Sequence, residues 1–283
     1  MLTLITKKEN VEKYKKIGAE AFIFGLKDFS SGYDNEISID EIRDVVNKNK
    51  DVEIFISINK NIFNDELESL DKMLKELNEI SIKGILFYDM AILRLKLVNN
   101  YKFDLVWNQS FMVTNYNTCN YYYKKGVKYG FLSKEITKDE ANFICDNTNM
   151  KMFMFVFGYP SMSYSKRKLL ENYYKFMDMD KEKDILSIKN NGNEYFVKDE
   201  KNGCIFYYGK VLNSAKYLNE FKMEYLVMSD SMIDKSSFEK IVKLYRKIID
   251  CNDSKCVNEA LKLFGEYEGF LNTKTIYKVK KNG

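Results

Sequence analysis

Residues 52–88 read VEIFISINKNIFNDELESLDKMLKELNEISIKGILFY, and this stretch decides the fold. Val52 to Ile58 is a short run of β-branched and aromatic residues, the composition of a strand buried on both faces. From Asn64 to Ile80, Leu67, Leu70, Leu74 and Leu77 recur at steps of three and four, which gives a helix one apolar face. Ile82-Lys83-Gly84-Ile85 then hands the chain to a second apolar run, Gly84 to Tyr88, with a glycine placed to end the helix in a left-handed turn. Strand, helix and strand in immediate succession form a βα unit, and the helix is the crossover that parallel strands require.

Outward from this unit the pattern repeats. Apolar runs occur at Leu2 to Thr6, Ala21 to Gly25, Asp104 to Asn108, Tyr129 to Ser133, Lys151 to Phe157 and Glu224 to Met228, eight in all with the two above. Capping boxes, Ser38 with Glu41 and Thr137 with Glu140, start two of the intervening helices. The glycine handover recurs at Lys16-Ile17-Gly18-Ala19 and Lys125-Gly126-Val127. Eight βα units in about 250 residues is the arithmetic of an α/β TIM-type (β/α)8 barrel. A doubly wound sheet would usually carry a GxGxxG after its first strand, and none is present.

One barrel domain is expected to span 1–283. Its rhythm breaks between Ile185 and Tyr208, where short β-like runs are separated by Asn190-Asn191-Gly192-Asn193 and Asn202-Gly203. Residues 184–210 are therefore expected to form a small antiparallel insertion before the last barrel strand. Residues 251–283 are expected to be a C-terminal helix and tail, with Thr275 to Val279 a candidate edge strand.

Composition narrows the chemistry. The chain has no histidine, one proline (Pro160), and 41 lysines against four arginines. Without an imidazole, a Ser-His-Asp or Cys-His nucleophile and an HExxH zinc site are all excluded. The net charge of +4 is mild and both signs are interspersed, so charge alone does not argue for nucleic acid. Five cysteines, with no CxxC pair, read as reduced thiols of a cytoplasmic protein, and no apolar stretch is long enough to span a membrane. Cys251 and Cys256 offer only two ligands where structural zinc needs four, so no metal site is expected.

A barrel of this type works at the C-terminal ends of its strands. The residues there are Gly25, Asn59, Asp89, Asn108, Ser133-Lys134-Glu135, Gly158-Tyr159-Pro160 and Ser229-Asp230. Asn59, Asp89 and Asp230 can equally be read as caps of the helices that follow. Glu135 is freer, because Thr137 already supplies a cap, and its carboxylate is expected to point into the barrel mouth. The segment Phe157 to Tyr173 holds the lone proline and Arg167, and its Tyr, Ser, Lys and Arg donors suit a carboxylate or phosphate. Its plain alternative is a solvated first helical turn. Ser163-x-x-Lys166 matches the SxxK of serine-lysine acylases, but that pairing arises by chance in so lysine-rich a chain.

The same segment resembles the signature of the collagenase-like peptidase family, peptidase U-32, at Gly158, Ser163-Tyr164-Ser165 and Arg167. Further similarity lies at Gly18 to Gly25, Asn59-Lys60, Asn64 to Leu67, Leu132 to Thr137 and Gly269 to Leu271. The resemblance covers the whole chain in order, and it implies a TIM-like barrel. It implies either a collagenase-like peptidase or an RNA-modifying role, since relatives are associated with hydroxylating ribosomal cytidine, the tRNA wobble uridine and the ubiquinone ring. Hydroxylase-type members hold an iron-sulfur cluster on four cysteines. Here the first two ligand positions fall on Ser161 and Lys168, and no cysteine lies between Cys145 and Cys204. The resemblance therefore implies a short, cluster-free member, without a cofactor of its own, acting on tRNA with a longer cysteine-bearing relative that carries the cluster and with a small carboxylate such as prephenate contributing. On that reading Glu135, Tyr164 and Lys166 are the catalytic candidates. Asn59, Asp89, Asn108, Ser133, Gly158, Ser165, Arg167 and Asn172 are the binding candidates. A non-catalytic interaction subunit is the third reading.

Overall fold

The computed structural model describes residues 1–180 and 183–273. In chain order the first elements are β1 (Leu2–Ile5), α1 (Val11–Lys15), β2 (Ala21–Leu26), the two-residue β3 (Glu36–Ile37), α2 (Ile39–Lys48), β4 (Glu53–Ile58) and α3 (Leu67–Asn78). Then come β5 (Gly84–Phe87), α4 (Met90–Asn99), β6 (Asp104–Trp107), α5 (Tyr116–Lys124), β7 (Tyr129–Phe131), α6 (Lys138–Asp146), β8 (Lys151–Gly158), β9 (Ser161–Ser165) and α7 (Leu169–Phe176). The chain continues through β10 (Ile185–Asn190), β11 (Asn193–Glu200), β12 (Gly203–Tyr208), β13 (Leu212–Asn213), β14 (Tyr225–Ser229), α8 (Lys235–Cys251) and α9 (Ser254–Phe264).

Eight parallel strands run in the order β1-β14-β8-β7-β6-β5-β4-β2, and β2 pairs back onto β1 to close the ring. The strands are the eight read from the sequence, and both capping boxes form at Ser38 and Thr137. Outward residues such as Phe22, Ile56, Phe87 and Trp107 pack under the helices, while their neighbours Ile23, Phe55, Leu86 and Val106 face the lumen. Burial on both faces is why the strands read as continuous apolar runs.

Aromatic rings plug the lower lumen. Phe55 meets Phe153, Tyr225 and Tyr129 edge-on at centroid separations of 5.1, 5.4 and 6.1 Å, and Phe153 stacks on Tyr225 at 4.0 Å. The Tyr225 hydroxyl donates to Glu53 Oε2 at 2.7 Å, and Glu53 pairs with Lys83 at 2.6 Å. With the base filled, the ring is open only at the C-terminal ends of its strands.

Gly18 and Gly126 take left-handed φ of +102° and +86° after their helices, as expected. Gly84 does not: it is the first residue of β5, and its backbone lies so close to the neighbouring strand that a Cβ would sit 3.0 Å from the Asp104 carbonyl oxygen. Its role is strand approach rather than helix termination.

The excursion between α7 and β14 is larger than a hairpin. β10, β11 and β12 form an antiparallel meander, turning through Asn191 and Gly192 at φ +48° and +76°, and β12 pairs with β9 to make a four-stranded sheet. α7 packs on this sheet through Leu170 and Tyr174 against Val197 and Cys204. Residues 161–165 are thus a strand, not the start of a helix. After β14 come α8 and α9, held by buried Asn213, whose amide donates to the carbonyls of Ala260 and Gly265 at 3.0 and 2.9 Å. The candidate strand at 275–279 lies outside the described residues.

Replacing Phe55 with alanine removes the ring that three others pack against. The expected cost is about 3–5 kcal/mol of unfolding free energy, read as a lower urea midpoint at unchanged slope.

Candidate functional site

A cavity of about 370 Å3 sits above the aromatic plug at the open end of the barrel. Phe131 and Phe155 form part of its floor, and loops after β2, β4, β5, β6 and β7 make its walls. β9 and β12 roof it with Ser161, Tyr164, Ile205 and Tyr207. Gly158 makes this roof possible: at φ +126° it turns the chain out of β8, where a Cβ would meet the Ser229 carbonyl oxygen at 3.0 Å.

The roof is fastened to the β2–β3 loop by charge and backbone contacts. Lys198 pairs with Asp34 and, at 3.2 Å, with Glu200. Glu200 accepts from Gly32 N at 2.7 Å, Lys201 pairs with Asp28, and the Asn202 amide donates to the Ser30 carbonyl at 2.7 Å. Ser231, after β14, adds a donor to Asp34 at 2.7 Å. Burial pushes the Asp34 carboxyl up, but Lys198 and Ser231 outweigh it and hold the group below its ordinary range.

Inside the cavity the charge pattern is simple. Among the described residues no carboxylate lines it, and Lys134 is its one cation. Lys134 Nζ donates to Ser161 Oγ at 2.8 Å and lies 5.1 Å from the centre of the Phe155 ring. It has no ion-pair partner among the described residues, and desolvation alone lowers its pKa to about 8. Phenols surround it. Burial raises the pKa of Tyr33 to about 12 and that of Tyr159 and Tyr164 above the usual value, so all three remain proton donors at neutral pH.

Of the residues singled out from the sequence, Asn59, Asn108 and Tyr164 line this cavity. Asn59 clamps the β2–β3 loop, accepting from Ser31 N and donating to Ser31 O, both at 2.8 Å. The Asn108 side-chain amide faces the cavity with no hydrogen-bond partner among the described residues. The Tyr164 hydroxyl donates to the Asn202 carbonyl.

The others lie around or away from the cavity. Ser133 is buried beneath it and accepts from Glu135 N at 3.2 Å. Glu135 itself is exposed and does not line the cavity, because the chain turns outward there to reach the Thr137 cap. Lys166 sits over the exposed Phe63 ring at 3.2 Å and 4.0 Å from Glu66. Ser165 accepts from Arg167 N at 3.2 Å, and the exposed Arg167 guanidinium has no carboxylate partner among the described residues. Asn172 is exposed on α7.

The capping alternatives divide. Asp89 caps α4 through Ala91 N at 2.9 Å. Asp230 takes the Thr6 hydroxyl while Asp234 caps α8. Lys134 is among the strand-end residues named from the sequence but is given no role there, and Tyr33 and Tyr207 are not named. The available signal was that Lys134 follows a strand end, but one lysine among 41 does not stand out.

The thiols lie apart from one another among the described residues. Cys119, Cys145 and Cys204 sit on α5, α6 and β12, with Cys251 and Cys256 on α8 and α9, and no three His, Cys, Asp or Glu converge among the described residues. Burial pushes the Cys119 and Cys204 thiols up to about 12 and Cys145 to about 11, so they rest as neutral thiols.

The model of peptidase family U32 matches residues 6–272. tRNA hydroxylation protein P2 of Bacillus subtilis (strain 168) is 27% identical over 266 residues, covering 87% of this chain and 84% of that protein. tRNA hydroxylation protein P1 of the same strain is 23% identical over 263 residues, covering 85% of this chain and 61% of P1, so the chain spans about three-fifths of that longer relative. Among solved structures, N-acetylneuraminate lyase of Aliivibrio salmonicida is 8% identical with a TM-score of 0.48, over 93% of this chain and 77% of that one. So slight a likeness lends nothing to function, and the barrel rests on its own strand pairing.

Two titrations follow from the geometry. Because the folded pKa of Lys134 lies below the ordinary lysine value of about 10.4, the unfolded chain binds more protons in the window above pH about 8. Stability should therefore rise with pH across that window, and Lys134→Met should flatten the rise in urea unfolding measured near pH 7 and pH 9.5. Asp34 has the opposite sign: its contribution is present above the ordinary aspartate pKa and lost as pH falls through its lowered folded value. Lys198→Met strands Asp34 and Glu200, so acid should loosen β11 and β12 at a higher pH than in the parent, read as earlier loss of amide-exchange protection there.

Proposed function

The chain belongs to peptidase family U32, and from that premise we propose that it is the short, cluster-free subunit of a tRNA wobble-uridine hydroxylation system, forming 5-hydroxyuridine in the cytoplasm together with a longer, cysteine-bearing relative. Two relatives of different length, P2 and P1, are each named as tRNA hydroxylation proteins, and the chain covers most of the shorter one. Their occurrence in one strain under one functional name supports a longer, related partner, which on this reading holds the iron-sulfur cluster. No helix among the described residues is long and apolar enough to cross a membrane.

The observation that carries the reading to a ligand is the mouth. A cavity of about 370 Å3 with one cation, no carboxylate and several aromatic walls matches a small carboxylate on an unsaturated ring, of which prephenate is the candidate. Lys134 supplies the attraction, Asn108 a free amide, and the phenol of Tyr159 a further donor. Peptide hydrolysis fits this chemistry poorly, because no carboxylate lines the cavity to activate water and the chain has no histidine.

Deleting the gene and measuring wobble 5-hydroxyuridine by nucleoside mass spectrometry tests the reading. The modification should disappear and return with the gene, while an unchanged level sinks the tRNA assignment. The longer relative should co-purify with the tagged chain, and purified protein should leave gelatin intact.

A further inference from the structure

The amine of Lys134 is placed to do more than attract an anion. It lies three residues beyond the end of the sixth barrel strand, reaches into the mouth cavity, and is held from one side by Ser161 Oγ at 2.8 Å and by the face of the Phe155 ring. No carboxylate pairs with it among the described residues, so no ion pair holds it in the ammonium form. A lysine in such a place is the usual form of an amine nucleophile, since only the neutral amine can attack a carbonyl.

We propose that Lys134 forms a reversible imine with a 2-oxo acid bound in the barrel mouth. The neutral Nζ adds to the keto carbon, and its proton passes to the oxygen to give a carbinolamine. That hydroxyl takes a second proton from a neighbouring phenol, which solvent reprotonates, and leaves as water. The product is an iminium whose positive charge remains in the cavity beside the ligand's own carboxylate. Addition of water reverses every step, so no oxidant or reductant is consumed.

The surroundings match each demand of this step. Roughly a tenth of an amine with a pKa of about 8 is neutral at pH 7, against far less for an exposed lysine. Tyr159 stays protonated and lines the same cavity, which provides a hydroxyl donor for the departing oxygen. Asn108 presents a free amide to the carboxylate. The acid-free lining leaves the iminium no counter-ion except the ligand, which selects a carbonyl compound that brings its own anion.

Trapping tests this on purified full-length protein without tRNA, so its failure is separable from failure of the tRNA reading. The protein is incubated with pyruvate and sodium cyanoborohydride at pH 7.5, and adducts are located by peptide mass spectrometry. One carboxyethyl group should appear on Lys134 at least about tenfold faster than on any other lysine, in line with its larger neutral fraction. The fast adduct should vanish in Lys134→Arg, whose folding is checked by its urea unfolding curve, and should slow in Asn108→Ala. Propionaldehyde, which lacks the carboxylate, should show no preference for Lys134. Equal labelling of Lys134 and surface lysines, or no adduct on Lys134, overturns the proposal.

Discussion

Closure of the barrel between β1 and β2 is the constraint on which the rest depends. β1 lies between β14 and β2, in register from Leu2 opposite Leu226 and from Thr3 opposite Ala21, so no strand edge of the ring is left open. An eight-stranded ring is just wide enough for side chains to fill, and here Phe55, Phe153, Tyr129 and Tyr225 fill its lower part. Ligand space is thereby confined to the C-terminal rim, where each strand hands over to a loop.

What covers that rim gives the mouth its character. The four-stranded sheet is a roof whose charged contacts point toward the β2–β3 loop, with Lys198, Lys201 and Glu200 engaged there rather than inside. The acids are consumed in fastening the roof, and Lys134 is left beneath it among rings, amides and hydroxyls. A cation desolvated without a partner is costly, and the fold keeps it where an incoming anion would offset that cost.

The barrel was legible because double-sided burial writes every strand as an apolar run and the helices carry their own caps. The roof was only half legible. Asn191-Gly192 announces its hairpin, but Ser161 to Ser165 is polar and becomes a strand only by pairing with β12, some forty residues on, which no local pattern records. At the site, Asn59 and Asn108 are legible by position at strand ends, and Tyr164 through the signature segment after the seventh strand. Glu135 was expected to point inward on the ground that Thr137 freed it, yet the turn that lets Thr137 cap α6 carries Glu135 outward. Lys134 is named at a strand end but given no role, because its distinction is burial without an ion-pair partner, which sequence does not display.

The central claim is that this lone cation in the barrel mouth serves tRNA hydroxylation. The most direct measurement is wobble 5-hydroxyuridine in a deletion strain carrying Lys134→Met, with the protein's abundance and folding matched to the parent. The account predicts that the modification stays near the level of the empty deletion strain. Full restoration by the variant would contradict it.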